Sequence, residues 1–145
     1  MSYQNNLTQN VAIVSVIALG LLPSNPAKAA DLKIGNVKKI FPTDAACVSF
    51  NPKTPEKRIL VALGNSAWIN INSKDVELKL VSQKKINQKK SVFKYQTKEL
   101  IVVINETLIR EDNGDGVQPP IIDYKQIISI KRGQSLRTLQ LNARC

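Results

Sequence analysis

The chain contains no histidine. That absence removes the commonest general base and metal ligand, and with it the Ser-His-Asp triad, the Cys-His dyad and any His-based zinc site. Aromatic residues make up 5% of the 145 residues, and tryptophan occurs once. The basic segments therefore lack the interleaved aromatic rings on which nucleic-acid bases stack, and no nucleic-acid partner is expected. Cysteine occurs twice, which leaves room for one intrachain bridge at most. The apolar run VAIVSVIALGLL, from Val11 to Leu22, would span only ~18 Å as a helix. A bilayer core is ~30 Å thick, so the run is too short for a comfortable membrane anchor.

What the run does match is an exported leader. Pro23 and Pro26 stop the helix after it, and Ala27-Lys28-Ala29 supplies the small-x-small pattern that signal peptidase accepts. Cleavage is expected after Ala29 or Ala30, with residues 1–30 as signal peptide and residues 31–145 as one domain. The stretch MSYQNNLTQN before the run has no Lys or Arg, so the α-amino group alone supplies its positive end. No cysteine stands at the cleavage site, so a lipoprotein anchor is not expected, and the product belongs in the periplasm or outside the cell.

The whole chain carries 21 Lys+Arg against 11 Asp+Glu, a net charge of +10. The leader removes one lysine and leaves +9. Such a charge draws a protein toward anionic surfaces: lipid headgroups, wall polymers and acidic glycans outside the cell. It is equally the charge of a soluble basic protein with no anionic ligand. Cys47 and Cys145 are an even count in an exported chain, which suggests a bridge; two free thiols or an intermolecular link are the alternatives.

Strand signals recur along residues 31–145 at short, regular spacing. Leu32–Phe41, Ala46–Phe50, Arg58–Leu63, Ala67–Asn72, Val76–Val81, Ser91–Thr97, Leu100–Arg110, Tyr124–Lys131 and Leu136–Cys145 make up the series, and turn residues such as Pro42, Gly64, Asp75 and Gly133 separate most of them. Val76, Leu78 and Leu80 alternate with Glu77 and Lys79, the period of a half-buried strand. The first half of Leu100–Arg110 reads as buried on both faces. Ser82–Lys90 reads either as an extended hairpin or as a helical turn. The pattern predicts an all-β, single-domain antiparallel barrel or sandwich of about eight strands.

Three features carry candidate chemistry. Lys84, Lys85, Lys89 and Lys90 put four ammonium groups within seven residues, a contact for an anionic polymer or a solvated hairpin tip. Glu111, Asp112, Asn113 and Asp115, with Gly114 and Gly116, form a candidate partner loop. They also resemble the start of a calcium loop, but Ile122 stands where the closing Glu would be. Trp68 reads as a packed core or barrel-end residue rather than a stacking platform. Glu77 and Glu106 read as solvent-facing, so no carboxylate pair for catalysis stands out. No cofactor is implied.

Ala67-Trp68-Ile69-Asn70-Ile71-Asn72-Ser73-Lys74-Asp75-Val76-Glu77-Leu78-Lys79-Leu80 resembles an AWMNIDGKDVKLKL-like stretch of small, uncharacterised bacterial secreted proteins. That pattern also places a cysteine strand before the stretch and a cysteine at the extreme C-terminus, where Cys47 and Cys145 stand. The chain departs from it at Asn72-Ser73, where Asp-Gly is expected. The resemblance implies an exported β-domain and brings no catalytic residue. A looser similarity to small periplasmic β-barrel lysozyme inhibitors rests on size, export and the cysteines, and a basic chain would be repelled by a cationic lysozyme. The expectation is an exported, non-enzymatic, envelope-associated protein that contacts anionic polymers or lipid headgroups. The alternative is a periplasmic inhibitor or other module that binds a protein partner.

Overall fold

The structure is a computed structural model that describes residues 31–42 and 46–145. The expected signal peptide lies outside the described residues. The turn chemistry between the alternating segments produces nine strands: β1 Ile34–Gly35, β2 Cys47–Asn51, β3 Thr54–Leu63, β4 Ser66–Ile71, β5 Lys74–Lys85, β6 Lys90–Gln96, β7 Leu100–Asp112, β8 Ile121–Arg132 and β9 Ser135–Arg144. No helix occurs among the described residues. Each strand from β2 to β9 pairs antiparallel with the next, and β9 returns to pair with β2. Of the two architectures the alternation allowed, the chain adopts the barrel, closed and up-and-down, with eight strands. β1 is an addition beside β4.

Closure rests on a short seam. Val48, Ser49 and Phe50 of β2 pair with Arg144, Ala143 and Asn142 of β9. The Cys47–Cys145 disulfide joins the same two strands at the next position and closes a separation of 98 residues. A bridge of that reach stabilises by about 4.7 kcal/mol in the chain-entropy picture. Such bonds persist in oxidising compartments.

Strand alternation divides the barrel into an apolar inside and a polar outside. Leu60, Ile69, Leu78, Tyr95, Val102, Ile104, Ile128, Ile130 and Leu141 face inward and are buried. Lysines and carboxamides fill much of the outward rows, whereas a barrel that spans a bilayer needs an apolar outside. β7 shows the pattern closely. Leu100, Val102 and Ile104 are buried, Ile101 and Val103 are half-buried, and Asn105 is exposed. The first half of this strand is therefore not buried on both faces as expected, because its outer side has no second layer to cover it. Ser82–Lys90 resolves as a hairpin arm of β5 and β6. Pairing also reaches into the expected loop NPKTPEK. Register shifts at Ser49/Phe50 and Phe50/Asn51 let β3 start at Thr54 with Pro55 outside the ladder.

The expected strand over Leu32–Phe41 is mostly a strap. Leu32, 2% exposed, enters the main core, a burial of about 1.5–3 kcal/mol. Arg137 Nη1 donates to its carbonyl at 2.9 Å. Beyond β1, Val37 and Phe41 fold over the outward-facing Val61 and Trp68 to form a second small core. The Phe41 and Trp68 ring centroids are 4.7 Å apart, and Lys39 Nζ stands 4.4 Å from the Trp68 ring. Gly35 is required where the strap crosses β4, since a Cβ there would lie 2.4 Å from Asn70 Oδ1. Asp75 pins the strap: its Oδ2 accepts from Lys38 N–H and Lys39 N–H at 2.9 and 2.7 Å, and its Oδ1 accepts from Asn70 Nδ2 at 2.7 Å.

Two predictions follow from these contacts. Asn72 and Ser73 adopt φ of 50° and 70° in the β4–β5 turn, the left-handed pair of a tight hairpin. Ser73 carries a Cβ into that region, so Ser73→Gly should stabilise the protein by about 1 kcal/mol in urea unfolding, and Ser73→Val should destabilise it. Burial raises the Asp75 carboxyl, but the bonds from Asn70, Lys39 and Lys38 outweigh it and hold it below the ordinary value of 3.8. An acid with a depressed folded pKa contributes stability above its unfolded pKa and loses it as pH falls through the folded one. Acidification below about pH 3.8 should therefore loosen the strap. Trp68 fluorescence should shift to the red there, and Asp75→Asn should show the shift already at neutral pH.

Candidate functional site

The long strands β7, β8 and β9 leave two concavities, one on each side of the sheet. The outer one is a groove of about 1000 Å³. Two outward rows form its floor: Lys90–Thr107–Lys125–Asn142, and Val92–Asn105–Ile127–Gln140. The β2–β3 turn, with Asn51, Pro52 and Lys53, walls one side, and Ile86 and Lys90 of the β5–β6 hairpin wall the other. The Asn51 side chain is tied into its turn, its Oδ1 accepting from Lys53 N–H at 2.9 Å. Ile127 is 49% exposed and Ile86 is 52% exposed. The groove thus offers three ammonium groups, several carboxamides and an apolar strip. Glu106 is the one acid among its lining residues, and its side chain belongs to the inward row of β7.

The inner concavity is a cavity of about 250 Å³ at the disulfide end of the barrel. Its walls are apolar where Leu60, Ala62, Phe93 and Ile104 meet, and polar along one line. Ser49 Oγ donates to Gln126 Oε1 at 2.6 Å, and Gln126 Nε2 donates to Glu106 Oε2 at 3.2 Å. Ser49 and Gln126 are 1% and 6% exposed. Tyr95 and Tyr124 also line the cavity. Burial pushes the Glu106 carboxyl up, partly offset by the Gln126 N–H. Burial, and then the Glu106 charge, push both phenols up as well.

The lysines singled out in the sequence do not form one cluster. Asn87 Oδ1 accepts from Lys89 N–H and Lys90 N–H, each at 2.9 Å, and fixes the hairpin tip. Alternation then sends Lys84 and Lys90 to the outer rows and Lys85 to the inward row, opposite Ser91. Lys90 joins Lys53 and Lys125 at the groove, neither of which stood out in the sequence. The carboxyls of the 111–118 loop are taken up locally. Asp112 accepts from Gly114 N–H and Arg110, and Asp115 accepts from Val117 N–H and Gln118 N–H. Glu111 is exposed beside Asn113. Among the described residues no group of His, Cys, Asp or Glu is arranged to hold a metal ion.

The expected solvent-facing position holds for Glu77, which is exposed, but not for Glu106. Val102, Ile104 and Glu106 alternate on β7, and Glu106 pairs across with Gln126 as Ile104 pairs with Ile128. The period-two pattern that placed Val102 and Ile104 inside contained this assignment. Trp68, 8% exposed, is a packed residue under the strap. Comparison with family models, curated proteins and solved structures gives no match.

A half-buried carboxyl with a raised pKa, as Glu106 is, opposes folding where it must ionise. The unfolded chain loses this proton near the ordinary value of 4.5 and the native chain only at higher pH, so stability falls as pH rises through that interval. Glu106→Gln, which can still accept from Gln126, should therefore be more stable than the parent at neutral pH and no more stable below about pH 4. Urea unfolding at the two pH values measures the difference.

Proposed function

We propose that this is an exported, non-enzymatic protein of the cell envelope whose outer groove takes a segment of an anionic polymer. The observation that carries the reading is the groove itself: Lys53, Lys90 and Lys125 surround a strip of Ile127 and Val92 flanked by Asn105, Gln140 and Asn142. Ammonium groups attract the charges of a polyanion, carboxamides both donate to and accept from hydroxyls, and an apolar strip receives the carbon faces of a chain. The net charge of the chain raises the local concentration of such a polymer. Lys84, Lys85 and Lys89 on the adjoining hairpin extend the positive field beyond the groove.

The non-enzymatic reading is supported by the lining of the two concavities, which share one acid, Glu106, and contain no histidine. Neither lining therefore holds a pair of carboxylates among the described residues. Export is supported by the Cys47–Cys145 bond and by the leader-like residues 11–30.

The test is co-sedimentation of the purified protein with isolated envelope polymer at low and high salt. Binding at low salt should vanish at high salt, because ammonium contacts in water are worth ~1 kcal/mol each and are screened. Lys53→Glu, Lys90→Glu and Lys125→Glu together should weaken it at least about tenfold. Lys85→Glu with Lys89→Glu, off the groove floor, should weaken it less. Equal losses from both sets would leave only a diffuse field, and binding to anionic vesicles but not to polymer would replace the polymer with lipid headgroups.

A further inference from the structure

The inner cavity is chemically the opposite of the outer surface. In a chain with a large positive charge, the described residues of its lining include no Lys or Arg and one carboxyl. The polar line through it has a direction. Ser49 donates to Gln126 and Gln126 donates to Glu106, so Glu106 is the terminal acceptor of the line. Gln126 uses one oxygen of that carboxylate, and among the described residues nothing donates to the second oxygen. Tyr95, 4% exposed, and Tyr124 bring phenol hydroxyls to the same cavity, and among the described residues neither hydroxyl has a hydrogen-bond partner. A half-buried carboxylate with an unused oxygen beside aromatic side chains is a pattern that attracts an organic cation: the carboxylate meets the charge and the rings meet its periphery.

We propose that the disulfide end of the barrel is a second ligand site, on the inner side of the strands that floor the outer groove, that binds a small organic monocation with its ammonium group on Glu106 and its apolar part against Phe93 and the walls Leu60 and Ala62. A volume of about 250 Å³ holds about eight water-sized groups at ~30 Å³ each, which limits the ligand to roughly the size of benzylamine. The groups facing Glu106 are Tyr95 from β6 and Tyr124 from β8, whose hydroxyls are pushed above the ordinary phenol value and stay neutral below it. Lys85 is the cation on the same inward row, and it stands at the exposed end of that row, beyond Ser91.

Three probes of one shape and different charge test the proposal: benzylamine, benzyl alcohol and benzoate, titrated into the full protein by calorimetry, with amide shifts to locate them. Benzylamine should bind saturably and shift the amides of Ser49, Phe93, Glu106 and Gln126. Benzyl alcohol and benzoate should bind at least about tenfold more weakly, since a charged hydrogen-bonded contact is worth ~1.5–3 kcal/mol. Glu106→Gln should remove this preference while Trp68 fluorescence reports an intact barrel. On the parent protein, benzylamine affinity should fall as pH drops through the Glu106 titration, the amine itself remaining protonated throughout. No saturable benzylamine binding, equal affinity for benzyl alcohol, or an affinity indifferent to both Glu106→Gln and pH would each overturn it. Lys53→Gln with Lys125→Gln, at groove residues that do not line the inner cavity, should weaken polymer binding and leave the benzylamine preference in place, so the two sites are judged separately.

Discussion

The pairing of β2 with β9 is the contact on which both concavities depend. Three residue pairs and one disulfide turn an eight-strand meander into a closed wall. Without that seam the inward row of β2 would face solvent and Ser49 would not meet Gln126, which is 77 residues away. The seam is short because β2 itself is short and irregular. Its shifts at Phe50 and Asn51 bend the chain out of the wall, and that bend carries Lys53 to the rim of the outer groove. One irregular strand therefore closes the inner cavity and builds one wall of the outer groove.

The two ends of the barrel are treated differently. Leu32 enters the core, its carbonyl accepts from Arg137 and its neighbour Lys33 bonds to Asn72, so the strap shuts one end with an apolar side chain. The other end keeps its cavity, because Ser49, Glu106 and Gln126 occupy positions where leucine or isoleucine would have filled the space. A barrel of this size has room inside for packed side chains or for one small ligand, and this chain divides its interior between the two uses. The strap adds a second device outside, where it covers Val61 and Trp68, whose exposure would leave an apolar patch on the barrel wall.

The strand series was legible because antiparallel sheet with a polar outside writes its period into the residues. Val76-Glu77-Leu78-Lys79-Leu80 and Leu136–Cys145 could be assigned to faces directly. Leu32–Phe41 misled for a physical reason: a segment that lies across a barrel wall also alternates apolar and polar side chains, but it bonds through Asn36, Asp75 and Arg58 rather than through a ladder. The candidate site was less legible. The four hairpin lysines are adjacent in sequence, yet alternation divides them between two faces. Lys53, Lys90 and Lys125 are far apart in sequence and meet only because β6, β7, β8, β9 and the β2–β3 turn lie side by side.

By itself the sequence determined the all-β class, the approximate strand count, the separation of inward from outward residues on most strands, and the absence of histidine chemistry. Each of these depends on local period, turn residues or composition, which neighbours along the chain supply. The tertiary structure alone decided barrel over sandwich, the plugged and open ends, and the company that Glu106 and Lys125 keep. Those depend on which strand closes against which and on how far each ladder is offset, and such long-range register is set by the packing of the whole wall rather than by any one segment.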